Sequence, residues 1–221
     1  MVKAVFLDFY GTVVHEDGVV INEVSERIYQ TGNAIDKSEI GVFWWNEFQN
    51  MFTNSYGQSF RSQRELEYQS LVNTIQHFQS TEDAKEISEY MFEQWVKPPI
   101  FEEAKEFFDQ CPVPIYIVSN IDIADINQAI EFHGLKPAGV FTSEAARSYK
   151  PRKELFELAL QETGLLSKEV VHIGDSLNSD IKGASALGIN AIWVNRFGKE
   201  VPVEVLAVTD LLQVLNTAYF I

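Results

Sequence analysis

A single cysteine in 221 residues, Cys111, can neither close an intramolecular disulfide nor build a thiolate metal cluster. It reads as a core thiol, and redox chemistry is set aside. Positive charge is also scarce, because 17 Lys and Arg against 32 Asp and Glu leave a formal charge of −15. That field repels polyphosphate backbones and excludes nucleic acid as a partner. No apolar run approaches the roughly 20 residues that cross a bilayer, so no membrane partner is expected. The first residues lack a basic stretch, a long apolar core and a small-residue cleavage site, and a cytoplasmic location is the expectation. Repeats and low-complexity tracts are missing, and "ARSYKPRK" is the only compact basic stretch. An anionic ligand would therefore need local positive charge, from a metal or from placed Lys and Arg.

What is present is an ordinary globular balance, with 46% hydrophobic and 22% charged residues. The run "AVFL" before Asp8 reads as a fully buried parallel strand, and Gly11 and Thr12 supply a turn after it. Residues from about 19 to 96 hold four stretches of apolar residues at helical spacing: "INEVSERIYQ", "KSEIGVFWWNEFQNMF", "RELEYQSLVNTIQHF" and "AKEISEYMFEQWV". The aromatic stripe of the second is expected in a core. Asp36 and Thr81 stand where N-caps are expected, and Pro98-Pro99 closes the segment. From residue 100, helices and Val/Ile-rich strands alternate, the strands being "PIYIVSN", "GVFTS", "EVVHIG" and "NAIWVN". Such βαβ units predict an α/β fold with a parallel sheet covered on both faces and a ligand site beyond the strands' carboxyl ends.

Those ends carry Asp8, then Ser119 and Asn120, then Gly174 and Asp175. A carboxylate can attack phosphorus and divide one hard displacement into two easier ones, so Asp8 is the candidate nucleophile. Mg²⁺ prefers oxygen ligands and keeps several waters, and Asp8, Asp175, Asp180 and the Tyr10 carbonyl are the candidate metal ligands. Ser119 and the amides of Gly11 and Thr12 are expected to bind the transferring oxygens. Lys150 is expected to neutralise both the nucleophile and the phosphoryl group.

"DFYGT", "IVSN", "YKP" and "GDSLNSD", in this order, resemble the four motifs of the haloacid dehalogenase superfamily of hydrolases. The resemblance runs over the whole chain. It implies a Rossmann-like parallel sheet core in three α/β/α layers, residues 1–14 and 97–221, with an all-α four-helix cap, residues 15–96, inserted between the first two motifs. It further implies a small anionic substrate, with Asn120 helping to orient substrate or nucleophile. A monomer or homodimer is expected.

Two motifs point to different branches. Superfamily phosphatases usually place a second aspartate two residues after the nucleophile as general acid and base, where this chain has Tyr10. A phenol does that work poorly at neutral pH, a deficit of about 10²–10⁴ in rate. The "D-x-Y-G-T" form is similar to that of 2-haloacid dehalogenases, which work without metal on a carbon–halogen bond whose leaving halide needs no proton. Their fourth motif, however, typically offers Ser and Asn where this chain has Asp175 and Leu177. Two neighbouring carboxylates call for a cation. Mg²⁺-dependent phosphoryl transfer is thus the leading expectation, beside 2-haloacid dehalogenation and a non-catalytic regulatory protein that binds metal and anion. Arg27, Arg61 and Arg64 are expected on the surface, as are Tyr149 and Arg152, and His15 in a linker. His172 is expected as a packed core histidine and Asn178 as a helix cap.

Overall fold

Strand β1 (Ala4–Leu7) sends Val5 and Leu7 to one side and Ala4 and Phe6 to the other, and all four are buried. A strand apolar on both faces needs covering on both, which the rest of the chain provides. The computed structural model describes residues 2–220. After β1 come α1 (Gly18–Thr31), α2 (Lys37–Asn54), α3 (Gln63–His77) and α4 (Ala84–Val96). Then follow α5 (Ala104–Gln110), β2 (Ile115–Ser119), α6 (Ile123–His133), β3 (Gly139–Thr142), α7 (Ser143–Ala146) and α8 (Glu154–Thr163). The chain continues through β4 (Val170–Gly174), a π-helical turn (Leu177–Lys182), α9 (Gly183–Ser185), β5 (Asn190–Val194), β6 (Leu206–Val208) and α10 (Leu211–Val214).

The six strands form one sheet in the order β3-β2-β1-β4-β5-β6, every pair parallel. Chain order reverses between β1 and β4, and the crevice at such a reversal is where open α/β sheets take their ligands. Leu7 is level with Ile117 on β2 and Ile173 on β4, so the residues just beyond these strands emerge together. Helices α5, α6 and α10 cover one face through Phe107, Ile126 and Leu211, and α8 and α9 cover the other through Phe156 and Ala184. This is the three-layer α/β core expected from the sequence. Strand β6 and helices α7 and α10 have no counterpart in that reading, being three or four residues long and too short for periodicity to register.

Between β1 and β2, α1 to α4 enclose a core of their own, with Ile28, Ile40, Trp44, Leu71 and Met91 buried among one another. Truncating one such residue to alanine costs about 2–5 kcal/mol. The aromatic stripe of α2 divides: Trp44 and Phe48 are buried, whereas Trp45 is 62% exposed. Asp36 caps α2 as expected, but α4 is capped by Asp83, whose carboxylate accepts from the amides of Lys85 and Glu86, and not by Thr81. Ser176, not Asn178, accepts from the Ser179 amide at the turn after β4. Cys111 is half-buried at the end of α5, not deep in the core, and its thiol donates to the Val113 carbonyl.

The helical segment is fastened to the sheet at several places. His15 and Pro99 pair their backbones where the chain leaves and returns, with a bridge between Val14 and Ile100. The Asp122 carboxylate accepts from the amides of Gln63 and Arg64 at 2.9 and 3.0 Å, capping α3 from the opposite side of the crevice. Arg64 then pairs through two nitrogens with fully buried Asp125 on α6 and lies over the Phe92 ring. Tyr149, expected at the surface, is 1% exposed: its ring packs between Phe52 and Phe60 and its hydroxyl donates to the Arg61 carbonyl.

Candidate active site

Lys150 is the centre of the site. Its ammonium has three N–H groups and three buried partners: Asp8 Oδ1 at 2.7 Å, Asp180 Oδ1 at 2.6 Å and the Val118 carbonyl at 2.8 Å. A lysine 1% exposed is tolerated only with such pairing, and the two carboxylates outweigh burial and hold the ammonium charged, above its ordinary range. With every donor used, Lys150 has none to spare for a substrate oxygen, which corrects half of its expected role. It acts on Asp8. Asn120 fixes it there: the Asn120 side chain accepts from the Lys150 amide at 2.7 Å and donates to the Lys150 carbonyl at 3.0 Å. Asn120 thus orients the lysine and, through it, Asp8.

Asp8 is buried at the end of β1, with Ser119 Oγ donating to Oδ1 at 3.3 Å and Thr12 Oγ1 to Oδ2 at 3.2 Å. The Thr12 hydroxyl also lies 3.4 Å from Asp175 Oδ1, bridging two acids. Gly11 makes their approach feasible. Its φ is +85°, and a β-carbon there would stand 2.6 Å from Asp175 Oδ2. The amides of Gly11 and Thr12, expected to face a ligand, are consumed within the turn by the carbonyls of Val14 and Phe9. The turn folds back on itself through these bonds. On this loop the amides of Phe9 and Tyr10 are the ones without an acceptor among the described residues.

Asp180 reaches the site because the turn after β4 is widened: the Ile181 amide bonds to the Ser176 carbonyl five residues back, as π-helical turns do. Gly174 leaves the space, since a β-carbon there would overlap the Asp180 carboxyl group. Asp180 Oδ1 meets Lys150 and lies 2.9 Å from His172 Nε2, and Oδ2 accepts from the Ser176 amide. Burial would raise its pKa, but Lys150 and His172 hold it well below the usual carboxylate range. His172 is fully buried as expected, yet it orients a site carboxylate; its place inside the apolar run "VVHIG" concealed this.

Asp8, Asp175 and Asp180 each place one carboxylate oxygen so that the three lie within 4.8 Å of one another. Three acids share one ammonium, and Asp175 has no cationic partner among the described residues. Burial first, then Asp8, Asp180 and Glu16, push the Asp175 carboxyl up to about 8, and burial likewise raises Asp8. Hard oxygen donors with uncompensated negative charge fit a magnesium ion.

Tyr10 is turned elsewhere. Its hydroxyl donates to the Trp95 carbonyl at 2.7 Å, and burial pushes the phenol well above its ordinary range. The Tyr10 side chain, a poor acid or base from its phenol alone, is here committed to that bond. Two residues the sequence did not single out hold the carboxylate loops: Trp193 Nε1 donates to the Asp175 carbonyl at 2.7 Å, and the Arg196 guanidinium donates to the Thr12 carbonyl at 2.6 Å. Arg196 is itself fixed between Glu103, at 2.7 Å, and the Phe101 ring.

Beside this centre a cavity of about 550 Å³ opens between the sheet edge and α1 and α4. Tyr10, Asn120 and Ile121 line its inner end, and His15, expected in a linker, lines it too and stacks on Phe101. Neither Lys nor Arg lines it among the described residues. Arg27 is spent on Glu82 and Glu86, Arg64 on Asp125, and Arg61 on the Met51 sulfur and the Glu65 carbonyl. Arg152 lies over the Tyr56 ring.

Residues 2–188 match the haloacid dehalogenase-like hydrolase family. The chain is 27% identical to the phosphoserine phosphatase of Thermus thermophilus over 125 residues, 52% of this chain and 48% of that protein. It spans about half the length of the curated relatives it matches, between 36% and 61%. The L-2-haloacid dehalogenase of Xanthobacter autotrophicus shares the fold, with a TM-score of 0.76 over 98% of both chains at 17% identity. So does the Bacillus subtilis protein YfnB, solved bound to magnesium, with a TM-score of 0.76 over 97% of both chains at 17% identity.

Proposed function

Because the chain belongs to the haloacid dehalogenase-like hydrolases, we propose that it is a Mg²⁺-dependent phosphohydrolase of a small phosphorylated metabolite, with Asp8 as the nucleophile. The observation that carries this reading is the convergence of Asp8, Asp175 and Asp180 on one point with a single lysine between two of them. Asp8, Asp175 and Asp180, with the Tyr10 carbonyl, would hold the ion. Bound there, Mg²⁺ supplies charge neutralisation for the acids and for the phosphoryl oxygens.

The chain's own residues account for the rest. Lys150 opposes the effect of burial on the Asp8 carboxyl and Ser119 fixes its rotamer, so the group meets phosphorus without reorganising. An Asp8 oxygen bonds to phosphorus as the ester P–O bond breaks; the leaving oxygen takes its proton from water, since the Tyr10 hydroxyl is engaged by Trp95. The amides of Phe9 and Tyr10 are placed to receive the equatorial oxygens. Water then attacks the aspartyl-phosphate, releasing inorganic phosphate and restoring the carboxylate. The helical segment of residues 15–96 serves as a cap that closes the cavity over the bound ester and excludes bulk water.

The metal-free dehalogenase reading retains one supporting observation, the tyrosine at position 10. It is disfavoured by Asp175 and by a cavity without a cation for a haloacid's carboxylate. Turnover of phosphate monoesters, acetyl phosphate and 2-chloropropionate, with Mg²⁺ and with EDTA, tests the choice. Phosphate release abolished by EDTA is the expected result; EDTA-resistant halide release would overturn it.

A further inference from the structure

The cavity next to the nucleophile has a chemical bias. Its acidic lining is Glu16, Asp17 and Glu23, and Tyr90 and Trp95 line it beside them. Two of the acids are held by the aromatics: the Tyr90 hydroxyl donates to Glu23 at 2.6 Å and the Trp95 indole to Asp17 at 3.0 Å. Those bonds hold the two carboxylates at the ring edges, since both donors lie in the ring planes. Glu16 has neither a hydrogen bond nor an ion pair among the described residues. Acceptors and negative charge, with no cation of its own, describe a cavity that needs a ligand bringing donors and positive charge.

We infer that the leaving group of the substrate carries an amino or quaternary ammonium group, so that the enzyme's substrates are zwitterionic phosphate monoesters of amino alcohols or amino sugars. This rests on the reading of Asp8 as phosphoryl acceptor. The ester's phosphate faces the Asp8 centre while its cation lies among Glu16, Asp17 and Glu23, at the end of the cavity lined by Tyr90 and Trp95. A chain of formal charge −15 repels a dianionic ester less when the ester carries its own compensating charge. A cavity of about 550 Å³ admits a leaving group as large as a hexosamine.

Three two-carbon esters that differ in one group test the inference: 2-aminoethyl phosphate, 2-hydroxyethyl phosphate and phosphoglycolate, each with Mg²⁺. Glucosamine 6-phosphate against glucose 6-phosphate extends the test to the larger class. The expected order of kcat/KM is ammonium over hydroxyl by roughly 10-fold and over carboxylate by roughly 100-fold. In Glu16→Gln and Glu23→Gln proteins the ammonium-to-hydroxyl ratio falls several-fold, a readout in which general damage cancels. Phosphate release with a flat or carboxylate-favouring order overturns the inference and leaves the phosphohydrolase reading standing. If no ester is hydrolysed, that reading fails, and calorimetry of 2-aminoethyl phosphate against phosphoglycolate on the Mg²⁺-loaded protein decides the inference: tighter binding of the ammonium ester supports it, and equal or reversed affinity overturns it.

Discussion

Tyr10 and Trp95 are joined across the crevice by one hydrogen bond, from the phenol of the residue two positions after Asp8 to the last turn of α4. The bond removes the phenol from proton transfer and gives it to the seam between sheet and helices. Rates should therefore depend steeply on leaving-group pKa, with acetyl phosphate and 4-nitrophenyl phosphate far ahead of alkyl esters. Tyr10→Asp should flatten that dependence by raising alkyl ester turnover roughly 10-fold or more, as a general acid does. Tyr10→Phe should cost about 1 kcal/mol in urea unfolding and leave the slope as it was.

Lys150 and Asp8 differ in what their loss exposes. Asp8→Asn removes one of three crowded acids; kcat should fall by at least about 1,000-fold while the denaturation midpoint stays close to wild type. Lys150→Met strands Asp8 and Asp180 in the interior without their cation, and unfolding free energy should fall by about 3–5 kcal/mol.

If the three acids hold magnesium as proposed, Asp175 links its binding to pH. With its carboxyl raised to about 8 in the metal-free protein, Mg²⁺ must displace a proton below that pH. Affinity measured by calorimetry should rise about tenfold per pH unit up to about 8 and then level, with proton release falling to zero. Asp175→Asn should abolish the slope and weaken binding.

Glu67 on α3 offers a pH effect away from the site. Burial, and secondarily Asp17, push its carboxyl up to about 8 against a smaller opposing effect of the Trp44 indole. The folded chain then holds a proton that the unfolded chain has released between about pH 4.5 and about 8, so stability declines through that window as pH rises. Glu67→Gln should match wild type at pH 4 and exceed it by about 1–3 kcal/mol at pH 9, read by urea titration at the two pH values.

The α/β core, the four helices and the acids at the strand ends were legible because each has a local signature: period two, period 3.6, or an acid closing a Val/Ile-rich run. Which amides of the Asp8 turn remain free was not legible, because it depends on bonds that the turn makes to itself. Nor were His172, Trp193 and Arg196, each of which serves the site through a partner far off in sequence or across a turn. Tyr149 was misplaced for a related reason: its burial comes from Phe52 and Phe60, some ninety residues earlier. Short-range patterns report which surfaces must be covered and are silent on what covers them.

The props supplied by Trp193 and Arg196 lie beyond the region shared with the family, residues 2–188. A chain emerging from the ribosome displays Asp8, Lys150 and Asp180 before either prop exists. Its competence should arrive late and abruptly, once β5 and the residue pair 193 and 196 clear the exit tunnel.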